Sequence, residues 1–489
     1  MPIPSSPTGG GYQIFNLPPG TYEIGAVQEG FESTTLTLEL KAGDARIADL
    51  ALRAGPAGNT VERVDYDTLY PPGRGRDVFM KECGGCHGVM HIPLHRLGPR
   101  SEEAWRRGVN RMFEVNRSLV PVVSPDAVPA ADREPIVKYL NDSFGVHTTR
   151  RDLKLDPLVV DEEPLFRAIY VEYDLPPVAP GPEGKPAGSR GTHDVFPSAV
   201  SQTVFMVDTQ QSSILGMDLR TLEYPVRFRE WKIPVPGNVH PHGIIEARGK
   251  VYWSELAGGA IGELDPATGA ISRYPSPSKG GLHTLRADSK GNVWYTGVYG
   301  PSRIGRVDAV TKAVTEWNPS RDHPNAHYYG VVIDKRDRVW TTGNTAHIVA
   351  RFEPRTQEWT AYPTPTPSAG PRRPTIDSKG RIWFSEHLND ALAMLDPDSG
   401  KIVEYTSPLR HSGEYEAYAD PQDNIWLSLR PYGTLARFDQ QTKAYTYFPY
   451  PEPGSHTPKI EIDAQGTIWF AAARRLVSLR PNGNVPPRM

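Results

Sequence analysis

Cys83-Gly84-Gly85-Cys86-His87 carries the most specific chemistry in the chain. It reads C-x-x-C-H, the attachment sequence of a covalently bound c-type haem. Two thiols at this spacing can add to the two vinyl groups of the porphyrin, and the adjoining His87 can then reach the iron from one face. The chain has 2 cysteines and both lie here, which excludes a structural disulfide elsewhere. A zinc site would need two more ligands at matching spacing, and a dithiol redox motif would need a βαβ surround. Neither accompanies this motif, so one haem c held by Cys83, Cys86 and His87 is the expected cofactor. The opposite face of the iron needs its own ligand. Met90 and His91 follow too soon to reach round easily. His95 could do so in a tight loop, and Met112 is far enough along the chain to fold back.

Short helices must position these groups. Residues 74 to 82 predict a helix leading into the cysteines. Ser101-Glu102-Glu103-Ala104 has the form of a capping box, with Ser101 as N-cap and acids in the first turn. Trp105, Val109 and Met112 then recur at helical spacing. Residues 132 to 144 predict a last helix, with Ile136, Val137, Leu140 and Phe144 on one side and Gly145 as its stop. This order over residues 62–149, helix, C-x-x-C-H, helix, loop and a helix containing Tyr139-Leu140, resembles a monohaem class of cytochrome c. Met112 follows Trp105 at the family's Trp-to-Met spacing, and Tyr-Leu comes later. The resemblance therefore implies Met112 as the sixth iron ligand. A thioether there raises the reduction potential relative to two histidines. It also fills the coordination site, so the iron would pass electrons rather than bind oxygen.

Residues 165–489 are a repeat. A strand of the form Val-Trp-aromatic-Thr recurs, its first aromatic at Trp294, Trp340, Trp383, Trp426 and Trp469. Tyr252 and Phe205 take the equivalent place. The period of about 43 residues suits four-stranded propeller blades. Outer strands carry Tyr173, Trp231, Tyr274, Trp317, Tyr362, Tyr405 and Tyr447. The first of these precedes the first inner repeat, and the repeat around Trp469 has no outer strand after it. Residues 167–175 are therefore expected to pair with the last blade and close a seven-bladed ring, which leaves no strand edge exposed.

The repeat resembles the virginiamycin B lyase (streptogramin lyase) propellers. The resemblance rests on Pro241-His242-Gly243-Ile244, Ser254-Glu255, Ile304-Gly305-Arg306, Trp383-Phe384-Ser385-Glu386 and Glu404-Tyr405. It implies a Mg²⁺-dependent elimination that opens a cyclic depsipeptide without water. A histidine at an inner-strand start would be the base, and a glutamate would help hold the metal. Carried onto this chain, the catalytic residues become His242 and His283, with Glu255 as the Mg²⁺ ligand. Inner-strand starts converge on the mouth of a propeller channel. His242, His283, His327, Tyr329, Arg372, Arg373, Tyr415, Glu416 and His456 are therefore expected to gather there, suited to a polar or anionic small ligand or a metal.

Residues 1–56 predict short β-strands. GGGYQIFNLPPGTYEIGAVQEGFES resembles the second half of a carboxypeptidase-regulatory-like domain, which implies a partial Ig-like β-sandwich. The fold class is thus multidomain and mainly β: a seven-bladed β-propeller, a small α-helical cytochrome c domain and the partial sandwich. In 489 residues, 54 Lys and Arg nearly balance 57 Asp and Glu, and the net charge of -3 favours neither nucleic acid nor an anionic membrane as partner. No apolar run approaches the roughly 18 residues of a membrane span. Met1-Pro2-Ile3-Pro4 has no signal-peptide character. Because haem c is attached after export, a periplasmic or otherwise exported location with an upstream natural start is expected. These features together predict an exported electron-transfer protein that meets a redox partner protein, its propeller binding a partner or small ligand. Lyase-like elimination at the axis and a haem-linked dehydrogenase are the alternatives. For the last, no flavin or dinucleotide fingerprint is present.

Overall fold

The computed structural model describes residues 19–26, 31–32, 34–42, 44, 46–54, 62–84, 94–96, 99–114, 128–149, 151–178, 188–221, 226–318, 323, 326–451, 457, 459–472 and 475–483. Near the start, Gly20–Ala26 pairs antiparallel with Thr34–Leu40. In the second strand Leu36, Leu38 and Leu40 alternate with exposed residues, as a period of two requires. The strand expected over Tyr12 to Phe15 lies outside the described residues.

Four helices follow: α1 (Tyr66–Leu69), α2 (Arg74–Glu82), α3 (Glu102–Phe113) and α4 (Ala130–Phe144). Ser101 caps α3, its Oγ accepting the N–H of Ala104 at 3.3 Å. Leu69, Tyr70, Phe79, Trp105, Val109, Ile136, Leu140 and Phe144 share one apolar core. Helices α2 and α4 meet at Gly75, where a Cβ would stand 2.5 Å from the Pro135 oxygen and the Tyr139 Cβ. Gly145 ends α4 with φ -75°, so a left-handed residue does not stop it.

A parallel pair of Glu62–Val64 with Arg151–Leu153 and a short helix, Glu162–Arg167, lead into seven four-stranded antiparallel sheets among the described residues, two of them joined by a single bridge between Arg373 and Glu416. Their inner strands are Thr192–Ser198, Pro241–Ala247, Leu282–Ala287, Tyr328–Ile333, Pro371–Ile376, Glu414–Ala419 and Ile460–Ile462, which define blades 1 to 7. Each inner strand touches the next, and the seventh returns to the first. The last blade takes its outer strand from Ile169–Asp174, which pairs antiparallel with Arg475–Arg480.

One device recurs in blades 3 to 7. An aspartate at the turn after the inner strand accepts the indole N–H of the tryptophan six residues on. The pairs are Asp288–Trp294, Asp334–Trp340, Asp377–Trp383, Asp420–Trp426 and Asp463–Trp469, at 2.8 to 2.9 Å. The same carboxylate accepts backbone N–H groups of its own turn, so one side chain fixes both the turn and a core indole.

Candidate functional site at the propeller axis

Six of the seven inner strands shift register at their second and third residues or beside them, between Thr192 and Val195, Pro241 and Ile244, Leu282 and Leu285, Tyr328 and Val331, Pro371 and Pro374, and Glu414 and Ala417. A bulge of this kind re-aims side chains that regular pleating would send to opposite faces. The residues inside the shifts are His193-Asp194, His242-Gly243, His283-Thr284, Tyr329-Gly330, Arg372-Arg373 and Tyr415-Glu416. Hydroxyls of the second strands hold the next blade in place. Ser254 Oγ donates to the His283 carbonyl (2.5 Å), Thr296 Oγ1 to that of Tyr329 (3.0 Å) and Ser385 Oγ to that of Tyr415 (2.9 Å). Gly243 permits this approach, since a Cβ there would lie 2.5 Å from the His283 oxygen.

The first residue of each pair belongs to a continuous run of rings. Centroids are 3.9 Å apart for His193 and His242, 4.2 Å for His242 and His283, and 4.2 Å for His283 and Tyr329. The Tyr329 and Tyr415 hydroxyls bond each other, and the Arg372 guanidinium lies 4.6 Å and 4.5 Å from the two ring centres. Of the second residues, Asp194, Arg373 and Glu416 join Lys459 and Glu461 of blade 7 in a charged layer. Asp194 accepts from Arg373 at 3.3 Å and lies 3.5 Å from Lys459, which pairs with Glu461 at 2.7 Å.

Burial drives His193, His242 and His283 below the ordinary histidine range, His242 and His283 well below it, so all three rings are neutral near pH 7. His193 and His283 push His242 further down. Burial alone would raise the Asp194 carboxyl, but Arg373, Lys459 and His193 outweigh it and hold the group well below the usual carboxylate range. His193 Nδ1 shares a proton with Asp194 Oδ1 at 2.7 Å, and His283 Nδ1 lies 2.9 Å from the Tyr329 carbonyl oxygen. His242 Nδ1 is buried with no hydrogen-bond partner among the described residues.

The structure therefore brings His242 and His283 together and adds His193 and Asp194, which the sequence reading missed. Their signal was present. His283, Tyr329, Arg372 and Tyr415 each stand eleven residues before an inner tryptophan, and His242 stands ten before Tyr252. The spacing is twelve to Phe205 in blade 1, which hid His193. Glu255 lies at the end of a second strand, where Arg273 donates to both its oxygens, at 2.8 and 2.5 Å. In blade 5 the equivalent Glu386 is buried and accepts from Asn389 at 2.9 Å, and its Oε1 meets no donor among the described residues, with the Glu404 carboxyl nearby. Burial pushes it up to about 8. His327 precedes its strand, with its backbone N–H on Ser302 Oγ. His456 lies outside the described residues.

Around the C-x-x-C-H motif, Cys86, His87, Met90 and His91 lie outside the described residues. Cys83 follows α2, and both Cys83 and Met112 pack, half-buried, against the helical core. Both His95 ring nitrogens are engaged, Nδ1 with the Tyr70 hydroxyl and Nε2 with Asp152, each at 2.8 Å. That leaves no donor atom of His95 for iron. The Met80 sulfur accepts from Tyr66 at 3.7 Å.

This helical segment meets the propeller on the face where the inner strands begin. Asp156 receives Arg410 Nη2 at 2.7 Å, Tyr66 stacks on His411 at 5.2 Å, and Leu158 packs against the blade 6 core. Asp390 Oδ2 accepts the His411 N–H, and Ser412 Oγ donates to Glu414 at the start of the blade 6 inner strand. The helical residues thus dock on the rim of the mouth that holds the histidines.

No helix among the described residues is long and apolar enough to cross a membrane. No curated protein matches the chain. The virginiamycin B lyase family matches residues 320–485. Among solved structures, a streptogramin B lyase is 20% identical with a TM-score of 0.56, covering 64% of this chain and 97% of that one. A virginiamycin B lyase from Staphylococcus aureus is 19% identical with a TM-score of 0.55, covering 64% and 99%. These likenesses establish the fold: the chain is mainly β and carries a virginiamycin B lyase-like β-propeller.

Proposed function

We propose that the chain is an exported haem c protein that exchanges single electrons with a redox partner protein. Its haem-bearing segment is docked on the mouth of a ligand-binding propeller. The observation that carries this reading is the C-x-x-C-H motif, with Cys83 set against the same apolar core as Met112. The donor set fits the group: thiols for covalent attachment, an adjoining imidazole, and a thioether, while the ring nitrogens of His95 are both hydrogen-bonded. Cys83, Cys86, His87 and Met112 would hold the haem, which supplies one-electron exchange when bound. The test is chain produced with haem attachment and export. A haem-stained band on a denaturing gel is expected, and it is lost when Cys83→Ala and Cys86→Ala are combined. Met112→Ala removes the weak near-infrared sulfur-to-iron band of the oxidised protein. Mature chain whose mass shows no porphyrin adduct refutes the reading.

A second reading is favoured by the neutral histidines. An unprotonated imidazole beside Arg372 and two tyrosine hydroxyls can remove a proton next to a carbonyl and stabilise the anion that forms. That is elimination of the streptogramin-lyase kind, and it needs no haem. His283→Ala abolishes such activity while leaving haem reduction unchanged; an unaltered elimination rate counts against it.

A further inference from the structure

The axial histidines have an unmet requirement that a cation would satisfy. His242 is 5% exposed, yet its Nδ1 has no hydrogen-bond partner among the described residues. A neutral imidazole has one donor and one acceptor nitrogen, and a buried nitrogen left without a partner is destabilising. His193 uses Nδ1 on Asp194, and His283 uses Nδ1 on the Tyr329 carbonyl, so Nε2 is the remaining ring nitrogen of each. Ligand atoms of His193, Asp194 and His242 all lie within 4.8 Å of one another, and His283 is the next ring in the run.

We infer that the mouth of the propeller axis binds one divalent first-row transition metal through His193 and His242, with Asp194 orienting His193 from its Nδ1 side and His283 beside them. Imidazole donors select zinc, copper, iron or nickel over magnesium. Asp194 on His193 Nδ1 and the Tyr329 carbonyl on His283 Nδ1 are the outer contacts that orient metal-binding histidines and fix their tautomers. Glu255, held by Arg273, takes no part. The site stands apart from haem c and does not rest on that reading. With His242 on the metal, His283 is left as the base of the elimination reading.

The probe is Zn²⁺, added to the full haem-loaded chain after dialysis against chelator, with zinc and iron counted separately by mass spectrometry. One zinc per chain is expected, undisturbed by millimolar Mg²⁺. His193→Ala and His242→Ala should each weaken binding at least ~10-fold, the scale on which a lost metal contact acts. His147→Ala, on the helical segment, should leave it unchanged. X-ray absorption at the zinc edge of the unmutated chain needs no variant to fold. It should show imidazole scattering at about 2.0–2.1 Å. A sulfur shell would place the zinc on the cysteines and overturn the inference. So would wild-type chain that retains no zinc, or variants that bind it as well as wild type.

Discussion

Replacing Asp194 by Asn changes one charge at nearly constant volume in the most buried part of the axis. Asp194 is 1% exposed and lies 3.3 Å from Arg373 Nη1, 3.5 Å from Lys459 Nζ and 2.7 Å from His193 Nδ1. With an effective dielectric constant of about 20, an ion pair at such separations is worth ~5 kcal/mol before desolvation is counted. Glu416, 3.9 Å from Arg373, and Glu461, 2.7 Å from Lys459, remain to share the two cations and reduce the loss. Leaving a buried charge short of its partner typically costs about 3–5 kcal/mol. For a propeller of about 300 residues, unfolding entropy of ~2.1 cal/mol/K per residue converts that into a fall in Tm of about 5–8 °C. The assay is thermal melting of the full chain in chelator, followed by near-ultraviolet circular dichroism of the buried tryptophans. Arg410→Ala is the control, because it breaks an ion pair to Asp156 whose arginine is 75% exposed, and its melt should superimpose on wild type. If Asp194→Asn melts within a degree of wild type, water rather than protein charge balances Arg373 and Lys459, and the closed axial layer is refuted.

Two further outcomes follow from buried carboxylates. Asp377→Ala leaves the Trp383 indole N–H buried without its 2.9 Å acceptor and frees the turn that Asp377 also holds. It should lower stability by about 1–3 kcal/mol, measured by urea unfolding. Burial pushes Glu414 up to about 8 from an ordinary 4.5, with Asp390 adding to the effect. Because the folded state holds this proton more tightly than the unfolded state, the contribution is fully present below about pH 4.5 and is lost as pH rises towards 8. Tm should therefore fall from pH 5 to pH 9, and Glu414→Gln should flatten the profile; parallel profiles would show that Glu414 is ionised throughout.

Much of the propeller was legible in the sequence, for a physical reason. Each blade needs an aromatic at the same place in its second strand, and only a fixed spacing delivers it. Trp294, Trp340, Trp383, Trp426 and Trp469 thus mark equivalent strands in successive sheets. The helices were legible too, because Ser101 caps by local hydrogen bonding and Ile136, Val137, Leu140 and Phe144 follow helical period. The C-x-x-C-H motif is a local spacing and needs no fold to be read. Assembly of the axial site was a different matter. His193, His242 and His283 come from three blades, and they stack only because each inner strand is bulged where its ring leaves it. Whether a polar side chain at an inner-strand start is partnered depends on what the neighbouring blade presents. Sequence spacing placed Glu255 and Glu386 at equivalent positions, but only the packing gave Arg273 to the first and left an oxygen of the second without a donor among the described residues. Tertiary contact alone set Tyr66 on His411 and Asp156 on Arg410, and so placed the helical segment on the mouth of the propeller. Periodicity records which residues share a face. It does not record which faces meet, and the chemistry at the axis arises where they do.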